Sequence, residues 1–361
     1  MLYRILGPLI GYLDQLYSYA VRFLAPKHFR FFSHGWGHPS IAFDAQEVFL
    51  RQCEKKILPL KNLDEVEWLD EEVQGHVVIK KGRFLSPLAQ HLPGDTNKYA
   101  YFYLVEPVKP LTKKTMTIMC PATGEMGKRS RMPMAKRLAS EQGCSSIILT
   151  APYYGIRKPQ DQTLWFINTV QDLLVQSLAI IAEASGLAAL YAQQDYQICL
   201  TGFSWGGAMC SVSAAAALLM GVDGPRLACV PYAGCASPKI LADGILSHSI
   251  DYEALRRSSD ESLDSISVSL QNMLGKMQLT TVTDRMTNPS KQQLRVIRSV
   301  SMEHDRFIKK GYVQDFFRQL GGLCGKANFC MLPGGHVFAA LARPFYHERA
   351  VVAAIDDLRV P

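Results

Sequence analysis

The stretch QICLTGFSWGGAMC, residues 197–210, holds Ser204 between Gly202 and Gly206, with Gly207 next in line. An apolar run, QICLT, leads into the serine, and AMCSVSAAAALLM, rich in small residues, leads away from it. Strand, sharp turn and helix in that order can hold a nucleophile in a strained backbone conformation. Small residues are needed two positions to either side, because strand and helix approach closely there. Ser204 is therefore read as a nucleophile. A serine hydroxyl is a poor nucleophile alone, so the rest of the chain must supply a base, an acid to orient it, and N–H groups for the developing charge.

Of the nine histidines, His336 fits best, because NFCMLPGGHVFAA sets it just past an apolar run on a glycine-rich turn that can project it over a sheet edge. His304 and His347 are rivals; the first adjoins the candidate acids and the second lies inside a helical pattern. In LRVIRSVSMEHDRFI a strand ends with Glu303 and Asp305 both at hand, and Asp305 is favoured over Glu303. A carboxylate there fixes the imidazole tautomer and stabilises the imidazolium. One oxyanion N–H is assigned to Trp205, the residue after the nucleophile. The other falls in CPATGEMG, at Thr123 to within one residue, and the 81 residues between it and the serine (204 − 123) leave room for two strand–helix units.

The wider pattern supplies a frame. Apolar runs at 76–80, 99–105, 115–120, 145–150, 197–202, 226–231, 294–301 and 328–332 read as strands. Helical patterns fall at 131–142, 162–192, after Trp205, at 311–320 and at 344–358. The first strands follow one another without helices and should pair antiparallel. The later ones alternate with helices, as in a parallel sheet covered on both faces. With the order serine, acid, histidine, this plan is that of an α/β-hydrolase. The expected organisation is a helical segment over 1–40, a hydrolase body over 41–235 and 293–361, and a helical cap-like insertion over 236–292.

With 361 residues, 48% hydrophobic and 20% charged, the chain can bury a large core and has no disordered composition. The net charge of +7 is dispersed, which excludes a nucleic-acid surface and leaves a mild pull toward anionic partners. The nine cysteines form no CxxC pair and read as free thiols in a reducing compartment. His34 and His38 in HGWGH are four apart, but the glycines between them favour a turn with Trp36 buried over a metal site. No metal or organic cofactor is required.

In MLYRILGPLIGYLDQLYSYAVRFL an apolar stripe through Leu9, Leu13, Leu16, Tyr17 and Ala20 follows helical spacing. Asp14 and Gln15 near its centre argue against a membrane span. The stripe suits a helix packed on the body of the protein or an interfacial helix, with residues 1–30 contacting an anionic membrane.

The segments GWG, ATGE, APYYGIRKPQDQ, GFSWGGAMC and PGGHVFA together resemble the α/β-hydrolase domain-containing protein 18 family, over most of the chain from about residue 30. The resemblance implies a Ser204, Asp305 and His336 triad and a serine hydrolase removing acyl chains from a lipid ester of cardiolipin type. It also implies an intracellular location, mitochondrial or membrane-associated. Arg157 and Lys158, in the distinctive string, are candidates to hold a substrate phosphate, against the alternative of an ion pair with Asp161 or Glu125. An acyltransferase using the same triad, and a non-catalytic binding protein on the same fold, are the competing functions.

Overall fold

The computed structural model describes residues 11–17, 19–20, 29–109, 113–235, 239–259, 261–286 and 293–360. The apolar runs and one further edge strand form one sheet: β1 (Glu67–Gln74), β2 (Val77–Leu85), β3 (Tyr99–Pro107), β4 (Thr115–Cys120), β5 (Ser145–Leu149), β6 (Gln197–Phe203), β7 (Leu227–Tyr232), β8 (Val296–Met302) and β9 (Ala327–Leu332). The spatial order is β1-β2-β3-β5-β4-β6-β7-β8-β9. Pairings from β1 through β3 to β5 are antiparallel, and all those from β5 onward are parallel. Every residue of β4, β5 and β7 is buried, as strands covered on both faces must be.

The edge strand β1 lies outside the strands read from sequence. All eight of its residues are exposed, so no apolar alternation marks EWLDEEVQ. Backbone pairing with β2 and the Arg83–Glu67 ion pair hold it in place.

The principal helices are α1 (Pro39–Glu54), α2 (Met132–Gln142), α3 (Val170–Ala192), α4 (Trp205–Leu219), α5 (Leu263–Leu274), α6 (Lys310–Gly321), α7 (His336–Leu341) and α8 (Arg343–Arg359). Helices α1, α3 and α4 share one core on one face of the sheet, and α2 and α8 close the other face. Helix α1 has no counterpart in the sequence reading; Pro39 sits in its first turn, where the missing N–H costs nothing. Helix α3 begins later than the pattern from residue 162, at the Thr169 cap whose hydroxyl accepts from the Asp172 N–H. It is long and apolar enough to cross a bilayer, yet its apolar window is wholly buried, so it is the core helix of the fold.

Between β7 and β8 the described part of the insertion carries short helices Ile240–Asp243, Tyr252–Arg257 and Leu279–Thr283 around α5. Leu255, Ile266, Leu270 and Leu274 join the main core. Trp36 is buried in the HGWGH turn and donates to the Leu255 carbonyl, tying the insertion to the N-terminal region. All nine cysteines are free, and burial pushes the Cys53 and Cys120 thiols up to about 12.

Residues 11–17 are helical, and the face they turn inward is not the apolar stripe that packing on the body would bury. Gly11 and Asp14 are buried, while Leu16, Tyr17 and Ala20 of the apolar stripe are exposed. Of the membrane-contact segment 1–30, residues 1–10, 18 and 21–28 lie outside the described residues.

Candidate active site

Ser204 links β6 to α4 with φ 54° and ψ −118°, a left-handed region that ordinary residues avoid. The turn closes only because its neighbours lack side chains. A Cβ on Gly202 would stand 2.3 Å from the Gly206 carbonyl carbon, and one on Gly206 would stand 2.6 Å from the Cys120 oxygen. The strain thus holds the Ser204 hydroxyl out above the parallel part of the sheet.

The structure brings Ser204, His336 and Asp305 into one hydrogen-bonded row. His336 Nε2 lies 2.8 Å from Ser204 Oγ, and its Nδ1 lies 2.7 Å from Asp305 Oδ2. The Asp305 Oδ1 accepts from the Phe307 and Ile308 N–H groups at 2.8 and 2.9 Å, which fixes the carboxylate. The imidazole is held between two rings, Phe203 at 5.1 Å and Phe307 at 4.7 Å between centroids. Glu303 is exposed, outside this row.

The rival histidines have other surroundings. The backbone N–H of His304 donates to the Gly334 carbonyl, pinning one loop to the other. His347 is buried in α8, its Nε2 2.7 Å from Thr201 Oγ1 and its ring stacked on Tyr232. Burial, helped by Arg343, pushes its pKa down to about 3. The Thr201 hydroxyl also reaches the Val230 carbonyl at 2.7 Å, so it donates there and receives the His347 Nε2–H. His347 is a neutral core histidine.

Past β4, Ala122 to Glu125 form a turn closed by the Glu125 N–H on the Ala122 carbonyl, with Gly124 at φ 74°. The Ala122 N–H is taken by the Glu125 carboxylate at 2.9 Å. Among the described residues, the Thr123 and Trp205 N–H groups enter none of the turn and cap bonds. Thr123 and Ser204 border the same cleft of about 440 Å³, walled by Phe31, Trp165, Phe166, Leu246 and Phe307. Leu246 brings the insertion to this wall, and Tyr17 brings the N-terminal helix to it.

The sequence expectation for Arg157 and Lys158 is corrected. Arg157 reaches Glu183 through both terminal nitrogens at 2.8 Å, both side chains are fully buried, and the guanidinium also donates to the Thr150 and Asn97 carbonyls. The partner is Glu183 of α3, not Asp161 or Glu125. Lys158 is spent on the Pro159 and Gln162 carbonyls of its own loop. Within the string APYYGIRKPQDQ, Tyr153, Tyr154, Arg157 and Gln162 form a buried brace, with Tyr153 donating to Asp172 and Gln162 to the Tyr153 carbonyl.

Among the described residues, the cation that borders the cleft is Arg343, which no sequence signal marked. It lies 3.8 Å over the Phe203 ring and 3.7 Å from Glu125, and burial lowers its pKa. Glu125 is held more closely by Arg131, at 3.0 Å.

A mostly parallel sheet covered on both faces, with a strained serine at the β6–α4 turn, defines an α/β-hydrolase. The model of the family described as alpha/beta hydrolase domain containing 18 matches residues 29–302, more than half of the chain, and the chain belongs to that family. Among solved structures it is similar to acetyl xylan esterase 1 from Thermoanaerobacterium sp. JW/SL YS485, at 12% identity and a TM-score of 0.52, covering 90% of this chain and 97% of that one. An acetyl xylan esterase from Paenibacillus sp. R4 is similar at 11% identity and a TM-score of 0.52, covering 91% and 98%. At such identities the likeness is one of fold.

Proposed function

We propose that this protein is a serine hydrolase that deacylates a lipid ester, with Ser204, His336 and Asp305 as its catalytic triad. The observation that carries the reading is the hydrogen-bonded row from Asp305 through His336 to a strained Ser204 that opens on an apolar cleft. Ser204 Oγ attacks the acyl carbonyl while His336 Nε2 takes its proton, and Asp305 stabilises the imidazolium. The oxyanion rests on the Thr123 and Trp205 N–H groups. His336 then gives the proton to the leaving alcohol oxygen, and the acyl group stays on Ser204. Water, activated by the same imidazole, releases the fatty acid and restores the serine.

The aromatic and aliphatic walls favour an acyl chain over a sugar or a peptide. The esterase names of the similar structures agree with ester chemistry. An anionic glycerophospholipid of cardiolipin type is the substrate we favour, with Arg343 in place of Arg157 and Lys158 as the cation nearest its phosphate. The same reading sets the enzyme at an intracellular, mitochondrial membrane, with Tyr12 and Leu16 (53% and 64% exposed) turned to the lipid.

The test is hydrolysis of a matched pair of esters, long-chain and acetyl. The proposal expects a kcat/KM higher for the long chain by about tenfold or more, since each buried methylene contributes about 0.8 kcal/mol. It also expects free fatty acid as product, and no activity from Ser204→Ala. Preference for acetyl, or turnover that survives Ser204→Ala, would refute it.

A further inference from the structure

Asp14, which with Gln15 argues against a membrane span in the sequence, is fully buried in the structure. A buried carboxylate is costly unless hydrogen bonds satisfy it. Asp14 has three, all from backbone N–H groups: Oδ2 accepts from Arg306 at 3.1 Å and from His336 at 2.9 Å, and Oδ1 accepts from Val337 at 2.9 Å. Arg306 follows Asp305 directly, and His336 opens α7, whose own N-cap, Gly335, offers no side chain. One carboxylate from the N-terminal helix therefore joins the loop of the proposed acid to the loop of the proposed base. It also supplies the anionic cap that α7 lacks.

The surroundings are built for this insertion. A Cβ on Gly335 would stand 2.7 Å from Asp14 Oδ2, so the carboxylate enters only because that position is glycine. One turn back, Gly11 lets the helix lie on His304, where an added Cβ would meet the His304 Cβ at 3.1 Å. On the next turn Tyr17 packs on Phe307, the ring that stacks on the imidazole.

We propose that Asp14 is a positioning residue for the triad. By binding the 305–306 and 336–337 backbones at once, it holds His336 Nε2 on Ser204 and Nδ1 on Asp305. The N-terminal helix is thus a structural part of the active site. The inference rests on the serine-hydrolase reading above. A misplacement of about 1 Å in a catalytic group costs on the order of a hundredfold in rate.

The experiment compares full-length wild type, Asp14→Ala and Asp14→Asn by acylation rate with a small fluorophosphonate, kcat and KM for a short soluble ester, and thermal unfolding. Asn can keep the Oδ2 bonds but places an NH₂ against the Val337 N–H. The expected order is Asp above Asn above Ala, with acylation and kcat falling about ten- to a hundredfold in Ala. KM should stay within about twofold, because no substrate contact is removed. A merely structural role would lower the unfolding temperature while leaving the folded fraction at full rate, and that result overturns the proposal. Should Asp14→Ala fail to fold, Asp14→Asn decides, and an unchanged acylation rate overturns the proposal. If wild type itself does not react with the probe, the hydrolase reading fails instead, which keeps the two failures apart.

Discussion

At the scale of single residues, the most informative reversal is Arg157. Next to a suspected serine site a guanidinium invites a phosphate, but its partner Glu183 sits 26 residues on, inside a helix of nearly continuous apolar character. No spacing rule ties the two, so the pair was illegible. The pair is also costly to break, because removing one member strands the other charge in the core. Arg157→Met should lower unfolding stability by about 3–5 kcal/mol in denaturant titration, with kcat/KM of the folded fraction intact. A phosphate-binding role would show the opposite split.

His347 supplies a pH signature on the same scale. Its folded pKa, about 3, lies below the usual 6.5, so the unfolded chain binds the proton more readily than the folded one. Its stabilising share is therefore complete above about pH 6.5 and is lost as pH falls toward 3, at about 1.4 kcal/mol per pH unit. His347→Gln should flatten the acid limb of stability against pH by about that slope between pH 6 and 4, read by urea unfolding at each pH. An unchanged limb would show that His347 is not buried neutral.

Among elements, the turn at Ser204 was legible because its requirements are local: a strand, a pair of glycines and a small-residue helix, all between residues 197 and 220. The glycines can be tested directly. Gly206→Ala pushes a methyl to 2.6 Å from the Cys120 carbonyl, a backbone atom that cannot swing aside. It should cost about 1–3 kcal/mol or more in stability, measured by thermal unfolding, and should lower kcat by shifting the end of β4 away from Ser204. Edge strand β1 and helix α1 escaped for opposite reasons. The first is acidic and wholly exposed. The second follows the glycine turn at Gly35 and Gly37, where the loop reading of HGWGH masked the Pro39 start.

Over the whole molecule, the sequence reading found the alternation of the later strands and helices and the antiparallel entry, because buried parallel strands announce themselves as apolar runs. Contacts between distant parts left no such trace. The three donors to Asp14 lie 292, 322 and 323 residues away, so its burial could not be foreseen from the helix alone. The same helix turns Tyr12 and Leu16 outward. Replacing both with serine should reduce co-sedimentation with anionic phospholipid vesicles by about tenfold, while turnover of a short soluble ester stays unchanged. Equal binding of the double variant and wild type would remove the N-terminal helix from the membrane account.

The relay of Asp305, His336 and Ser204 is the claim on which the chemistry depends, and its most direct measurement is mass mapping of the site acylated by a fluorophosphonate. One adduct is expected, on the peptide containing Ser204. It should be absent from Ser204→Ala and should form slower by a factor on the order of 10³ or more in His336→Ala. An adduct on another residue, or labelling of His336→Ala at the wild-type rate, would contradict the account.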